Sequence, residues 1–111
     1  MTINEYQKAA LRTANPRLTL TMQLENGLMG LCGEAGEAMD ILKKFLFQGH
    51  ILDKEHMAKE LGDIAWYLAL AAHGLGYDLE TILKMNIDKL MARYPEGFDR
   101  ELSLHRKTGD I

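Results

Sequence analysis

Apolar residues recur at three- and four-residue steps along most of this chain, which is the spacing of one face of an α-helix. The clearest run covers residues 21–48, and Gly49 supplies a plausible end. Its apolar stripe comprises Leu24, Leu28, Leu31, Ala35, Ala38, Leu42 and Phe45. The longest alternating segment, RLTLT after Pro16, is too short to favour a sheet. The pattern therefore predicts an all-α protein.

Three further segments combine helical periodicity with a residue type that commonly starts helices. One is predicted at about residues 3–13 after Thr2, and one at residues 54–73 after Asp53. The last is predicted from residue 79, after Asp78, to the YPEG segment. Short connections between the last three helices make them antiparallel neighbours. We therefore expect one domain over residues 1–111, a helical bundle of one short and three longer helices with a core at about 21–98 and a polar tail at 99–111.

The third predicted helix is apolar on every side between Ile64 and Ala72. Such a helix must be covered all round, which one short and three longer helices can hardly do within a single chain. We therefore expect a homo-oligomer, a dimer or a tetramer, that completes the bundle near this segment. The alternative is a central core helix.

Composition narrows the classes of partner and compartment. The 47% hydrophobic and 26% charged residues exclude a disordered chain, and a net charge of −3 argues against nucleic-acid binding. The longest apolar run, IAWYLALAA, is too short for a membrane span, and the N-terminus lacks a secretion signal. The single Cys32 is expected to be a buried, reduced thiol. We therefore expect a cytoplasmic protein without a membrane or nucleic-acid partner.

Glycine recurs at every third position within the second predicted helix, although each interior glycine costs about 1 kcal/mol relative to alanine. These glycines are Gly27, Gly30, Gly33 and Gly36. On a helical projection Gly30 falls between Glu34 and Glu37, one turn before them. The missing side chain predicts a hollow beside the two acids, into which a neighbouring backbone or a ligand fits.

Two pairs of acidic residues, each spaced three apart, stand on successive helices. Glu34 and Glu37 form one pair and Glu60 and Asp63 the other, and both face stripes that otherwise read as apolar. If these faces pack together, the four carboxylates must be partly protonated or hold cations, and a divalent ion is the simpler solution. An all-oxygen ligand set favours Mg²⁺, with Mn²⁺ possible. The alternative is that they are surface acids paired with nearby lysines.

A basic stripe on the last predicted helix complements the acids. Asn86, Lys89 and Arg93 share a face, with Tyr94 adjoining, and such side chains can receive phosphate oxygens. The alternative is a solvated helix end that interacts with the helix dipole. Acids, a metal ion and a basic stripe together fit phosphoryl chemistry better than any one of them does alone.

Other side chains near the acids are interpreted as structural. Trp66 and Tyr67 are expected in the core rather than stacked on a nucleobase. His56, one turn before Glu60 on the same face, is expected in solvent, with a contact to that acid as the alternative.

The segments GLCGEAGEAMDILKK, KELGDIAWYLALAA and NIDKLMARYPEGF resemble the MazG-like all-α nucleoside triphosphate pyrophosphohydrolases, over roughly residues 24–98. Glu34, Glu37, Glu60 and Asp63 match the family's acidic motif. Gly33 stands where the family has a further glutamate, as in its short single-domain members. The resemblance implies Mg²⁺-dependent hydrolysis of a nucleoside or deoxynucleoside triphosphate to the monophosphate and pyrophosphate, which removes unwanted nucleotides.

Residue roles follow from the same resemblance. The four acids would hold the metal, with Glu34 or Glu37 as the catalytic base, and the segment with Asn86, Lys89, Arg93 and Tyr94 would hold the substrate phosphates. A di-iron bundle protein is disfavoured, because its Glu-x-x-His pairs are missing. A non-catalytic helical binding or dimerisation module remains the main alternative.

Overall fold

The computed structural model describes all residues, 1–111, and contains five α-helices and no strand. They are α1 (Ile3–Leu11), α2 (Leu20–Phe47), α3 (Lys54–Gly74), α4 (Leu79–Arg93) and α5 (Arg100–Leu104). The all-α prediction is confirmed. The predicted count of four helices is wrong, because the polar tail holds α5, which Asp99 caps by accepting hydrogen bonds from the backbone of residues 101 and 102.

Side-chain caps fix where three of the predicted helices begin. Thr2 Oγ1 accepts a hydrogen bond from the Glu5 backbone at the start of α1, and Asp53 Oδ1 accepts one from the His56 backbone at the start of α3. Thr19 does the same for α2, so this helix begins at Leu20, one residue before its predicted start.

The chain divides into two compact units, Met1–Leu79 and Glu80–Ile111. In the first unit α2 packs along α3, and α1 lies against α3. Its buried apolar residues are Ala10, Ala69, Leu70, Ala71, Ala72 and Leu79. The buried Gln7 amide donates to Ala69 O and accepts from the backbone of Leu79, which ties α1 to α3 and to the first residue of α4.

Glycines allow α2 and α3 to approach closely. A Cβ on Gly27 would lie 2.7 Å from the backbone nitrogen of Ala71, and one on Gly74 would lie 2.6 Å from the backbone nitrogen of Leu24. At these two positions the missing side chain admits the neighbouring backbone.

The apolar segment of α3 is largely covered within the first unit. Ala69–Ala72 are buried by the chain itself, as the alternative of a core helix expects, whereas residues 64–68 are half-buried. The homo-oligomer stays a prediction. Large apolar side chains are instead exposed along α2, where Met29 is 70% and Phe47 80% exposed.

The second unit contains α4, α5 and the end of the chain. The Arg93 guanidinium donates two hydrogen bonds to the Asp110 carboxylate, at 2.8 and 2.7 Å. The rings of Tyr94 and Phe98 pack with centroids 5.5 Å apart. None of the five helices combines the length and the hydrophobicity that crossing a bilayer requires.

Candidate active site

Three of the predicted acidic residues converge where α2 packs against α3. Carboxylate oxygens of Glu34, Glu37 and Glu60 all lie within 4.8 Å of one another. Glu60 is buried, Glu34 is half-buried and Glu37 is exposed. Because residues three apart share a helix face, α2 presents Glu34 and Glu37 together to Glu60 on α3.

Two of the oxygens in this cluster have no hydrogen-bond donor when all three carboxylates are ionised. Oε2 of Glu34 and Oε2 of Glu60 are inaccessible to solvent and accept no hydrogen bond. Unsatisfied buried carboxylate oxygens are costly unless a cation or a proton neutralises them. The donor set therefore fits a hard divalent cation, which prefers carboxylate oxygens as ligands.

Without a metal, the cluster shares a proton between α2 and α3. The pKa of Glu34 is raised to about 7, mainly because its protonated carboxyl can donate a hydrogen bond to Glu60. Burial and the negative charge of Glu37 raise it further. The same hydrogen bond lowers the pKa of Glu60, which remains the ionised partner.

His56 completes the environment of the buried acid. Its Nε2 lies 3.1 Å from Oε1 of Glu60, across one turn of α3. The prediction that His56 points into solvent is therefore incomplete, and the alternative contact with Glu60 is present. The four-residue spacing of His56 and Glu60 in the sequence indicates this contact. Such a contact fixes the orientation of a ligand carboxylate.

The fourth predicted ligand, Asp63, is exposed and lies outside the group of three. Its negative charge nevertheless contributes to raising the pKa of Glu34.

The hollow predicted beside Gly30 is filled by the ring of Tyr67. A Cβ on Gly30 would lie 2.2 Å from Cε1 of that ring. Trp66 is also used in packing, because its Nε1 donates to Ala10 O and to Thr13 Oγ1, both at 2.9 Å. Both aromatic residues therefore have the structural role that the sequence predicted.

The space left open by glycine lies further along α2. A Cβ on Gly33 or on Gly36 would meet no atom within 4 Å. Both glycines line an open pocket of about 500 Å³ together with Glu37, Asp40, Ile41, Lys44, His56 and Glu60. Lys44 forms an ion pair of 2.9 Å with Asp40 there, and neither residue was predicted to belong to the site. Cys32, one residue before Gly33, is exposed, so the prediction of a buried thiol is wrong.

The predicted basic stripe belongs to the second unit. Lys89 and Arg93 both line a pocket of about 270 Å³ within that unit, while Asn86 is exposed. The half-buried Tyr94 stacks against Arg93, whose Cζ lies 5.9 Å from the ring centroid. The Arg93 side chain is only 10% exposed and pairs with Asp110.

A family model for the MazG nucleotide pyrophosphohydrolase domain matches residues 23–98. The chain belongs to this family. The matched range of this MazG domain contains the three clustered acids, Asp63 and the basic stripe.

One curated relative is the Gene 37 protein of Mycobacterium phage L5, which is 40% identical over 73 residues. The match covers 62% of this chain and 64% of the phage protein, so the chain spans less than two thirds of that relative's length. No solved structure matches the chain.

Proposed function

We propose that this MazG domain is a Mg²⁺-dependent nucleoside triphosphate pyrophosphohydrolase, which converts a nucleoside or deoxynucleoside triphosphate and water to the monophosphate and pyrophosphate. The observation that carries the proposal is the convergence of three carboxylates with two unpartnered buried oxygens beside an open pocket. Membership of the MazG family supports the same reaction class.

Glu34, Glu37 and Glu60 would hold the cation. Asp63, three residues after Glu60 on α3, would be a fourth ligand, although its carboxylate lies outside the group of three. Mg²⁺ would supply the positive charge that lets a triphosphate approach these acids and stabilises charge developing on its oxygens, and Mn²⁺ suits the same ligands. His56 orients Glu60 by its contact with Oε1.

Glu37 is the better candidate for the catalytic base. Its carboxylate is exposed and lines the open pocket, whereas Glu34 is half-buried and its pKa of about 7 leaves it partly protonated at neutral pH. Glu37 would accept a proton as the water oxygen bonds to the α-phosphorus. The bond from that phosphorus to the bridging oxygen breaks, and pyrophosphate leaves with the electron pair.

The basic stripe of α4 would bind the substrate phosphates. Lys89 and Arg93 supply positive charge, Asn86 supplies an amide donor and Tyr94 holds the guanidinium of its neighbour in place. These groups would stabilise the negative charge that develops on the leaving pyrophosphate.

We further propose that the chain acts as a single domain in a cytoplasmic homo-oligomer that removes unwanted nucleotides. The exposed apolar side chains of α2, among them Leu28, Met29, Met39 and Phe47, support an oligomer because burying them would remove apolar surface from water.

The test is the release of pyrophosphate from a panel of nucleoside and deoxynucleoside triphosphates with Mg²⁺. We expect turnover by the wild type and a loss of at least about 100-fold in Glu37→Gln, the loss typical of removing a general base. Glu55→Gln is the matched control, since Glu55 is exposed on α3 and pairs only with Lys59. Absence of turnover on every nucleotide would favour the non-catalytic binding module, and full activity of Glu37→Gln would refute the assignment of the base.

A further inference from the structure

A pocket of about 270 Å³ in the second unit is strongly basic. Its ionisable side chains are those of Lys89, Arg93, His105, Arg106, Lys107 and a single acid, Asp110. A pocket of this size accommodates a compact charged group. The excess of basic residues makes an anion the expected occupant.

An anionic group of the chain itself already occupies this environment. The two oxygens of Asp110 accept parallel hydrogen bonds from Nε and Nη2 of Arg93, at 2.8 and 2.7 Å, and the two side chains are only 16% and 10% exposed. Parallel bonds of this kind are also how a guanidinium recognises phosphate. The pKa of Asp110 is lowered, first by Arg93 and then by the charges of Arg106 and Lys89, so three cations act on one carboxylate.

A turn in the tail brings this carboxylate back to α4. The backbone nitrogen of Asp110 donates to Lys107 O at 3.0 Å, and Gly109 adopts a φ of +88°, which side chains rarely tolerate. The preceding tail residues 105–107 line the same pocket. The tail therefore contributes both basic groups and a competing acid.

We propose that this pocket binds a polyphosphate group, and that the Asp110 carboxylate occupies the position of phosphate oxygens on Arg93 until the anion displaces it. The choice of polyphosphate as the anion rests on the proposed function. The tail then has two roles: Arg106 and Lys107 add to the anion site, and Asp110 weakens ligand binding by competing for the guanidinium. Pyrophosphate displaces the Asp110 carboxylate from Arg93 because each phosphate group offers more negative charge and more acceptor oxygens than a carboxylate.

Binding of inorganic pyrophosphate to the full-length chain, measured by calorimetry in EDTA, tests the proposal without turnover or metal. Asp110→Asn is expected to bind pyrophosphate about tenfold more tightly than the wild type, because the competing charge is removed. Gly109→Ala retains every charge but disfavours the turn, and about threefold tighter binding is expected. Asp88→Asn is the matched control, because it removes an acid of α4 that pairs only with Lys84 at the surface, and its affinity should equal that of the wild type.

Several results would overturn the proposal. The first is unchanged or weaker pyrophosphate binding by Asp110→Asn, and the second is an absence of pyrophosphate binding by every protein. The third is tighter binding by Asp110→Asn with unchanged binding by Gly109→Ala, because that combination would reveal a simple charge effect. Failure of the proposed function is recognised separately, as the absence of nucleotide hydrolysis by the wild type.

Discussion

Replacing Gly27 with alanine is expected to destabilise the protein although alanine is the better helix former. The added Cβ would lie 2.7 Å from the backbone nitrogen and 2.8 Å from the Cβ of Ala71, about 1 Å inside the optimal contact distance. Because a backbone atom cannot rotate away, α2 must shift from α3. Overpacking costs about 3 kcal/mol at the upper end of the usual range, and helix propensity returns about 1 kcal/mol, which leaves a loss of about 2 kcal/mol.

The matched control is the same substitution six residues later in the same helix, at Gly33. A Cβ on Gly33 meets nothing within 4 Å, so Gly33→Ala should gain about 1 kcal/mol from helix propensity alone. Thermal unfolding followed by circular dichroism, in EDTA and at one protein concentration, should show Tm lowered by about 10 °C for Gly27→Ala and raised by about 5 °C for Gly33→Ala. If Gly27→Ala is as stable as Gly33→Ala, the close packing of α2 on α3 is refuted.

Three further outcomes follow from the contacts of Glu34, His56 and Trp66. Folding raises the pKa of Glu34 from 4.5 to about 7, so the proton on Glu34 stabilises the folded state at low pH. This contribution to the free energy of unfolding is lost as pH rises through 7. Mg²⁺ should therefore raise Tm more at pH 8 than at pH 5.5, and an equal increase at both would contradict the shared proton. His56→Ala should weaken Mg²⁺ binding about tenfold, since Glu60 loses the group that orients it, whereas unchanged affinity would make the contact incidental. Trp66→Phe should cost about 1–2 kcal/mol of unfolding free energy, because Thr13 and the α1 carbonyl lose their donor, while Mg²⁺ affinity stays constant.

The features that could be predicted from the sequence are those that depend on local spacing. The three-residue step placed Glu34 and Glu37 on one face of α2, and the cap at Asp53 fixed the register of α3, so the meeting of the acids followed once the two helices packed. The prediction of a single domain, the oligomeric state and the role of Asp63 stay predictions.

The features that sequence reasoning missed depend on which neighbour covers which face. The sequence predicted that the apolar segment of α3 is not covered by its own chain. Gly27 lets α2 lie close enough to bury Ala71, and hydrophobic periodicity does not show such a close approach. For the same reason, the small and apolar neighbours of Cys32 in the sequence predicted a buried thiol. The thiol is exposed, on the open side of α2. The bond between Arg93 and Asp110 spans 17 residues, a separation at which no helical spacing rule applies.

The most direct test of the acidic centre is calorimetric titration of the wild type with Mg²⁺ at pH 7 in buffers of different ionisation enthalpy. We predict binding that releases about half a proton, because Glu34 with a pKa of about 7 must lose its proton to become a ligand. Binding should be lost in Glu60→Gln and retained in the control Glu55→Gln. Absence of Mg²⁺ binding by the wild type, or equal binding by Glu60→Gln, would contradict the account.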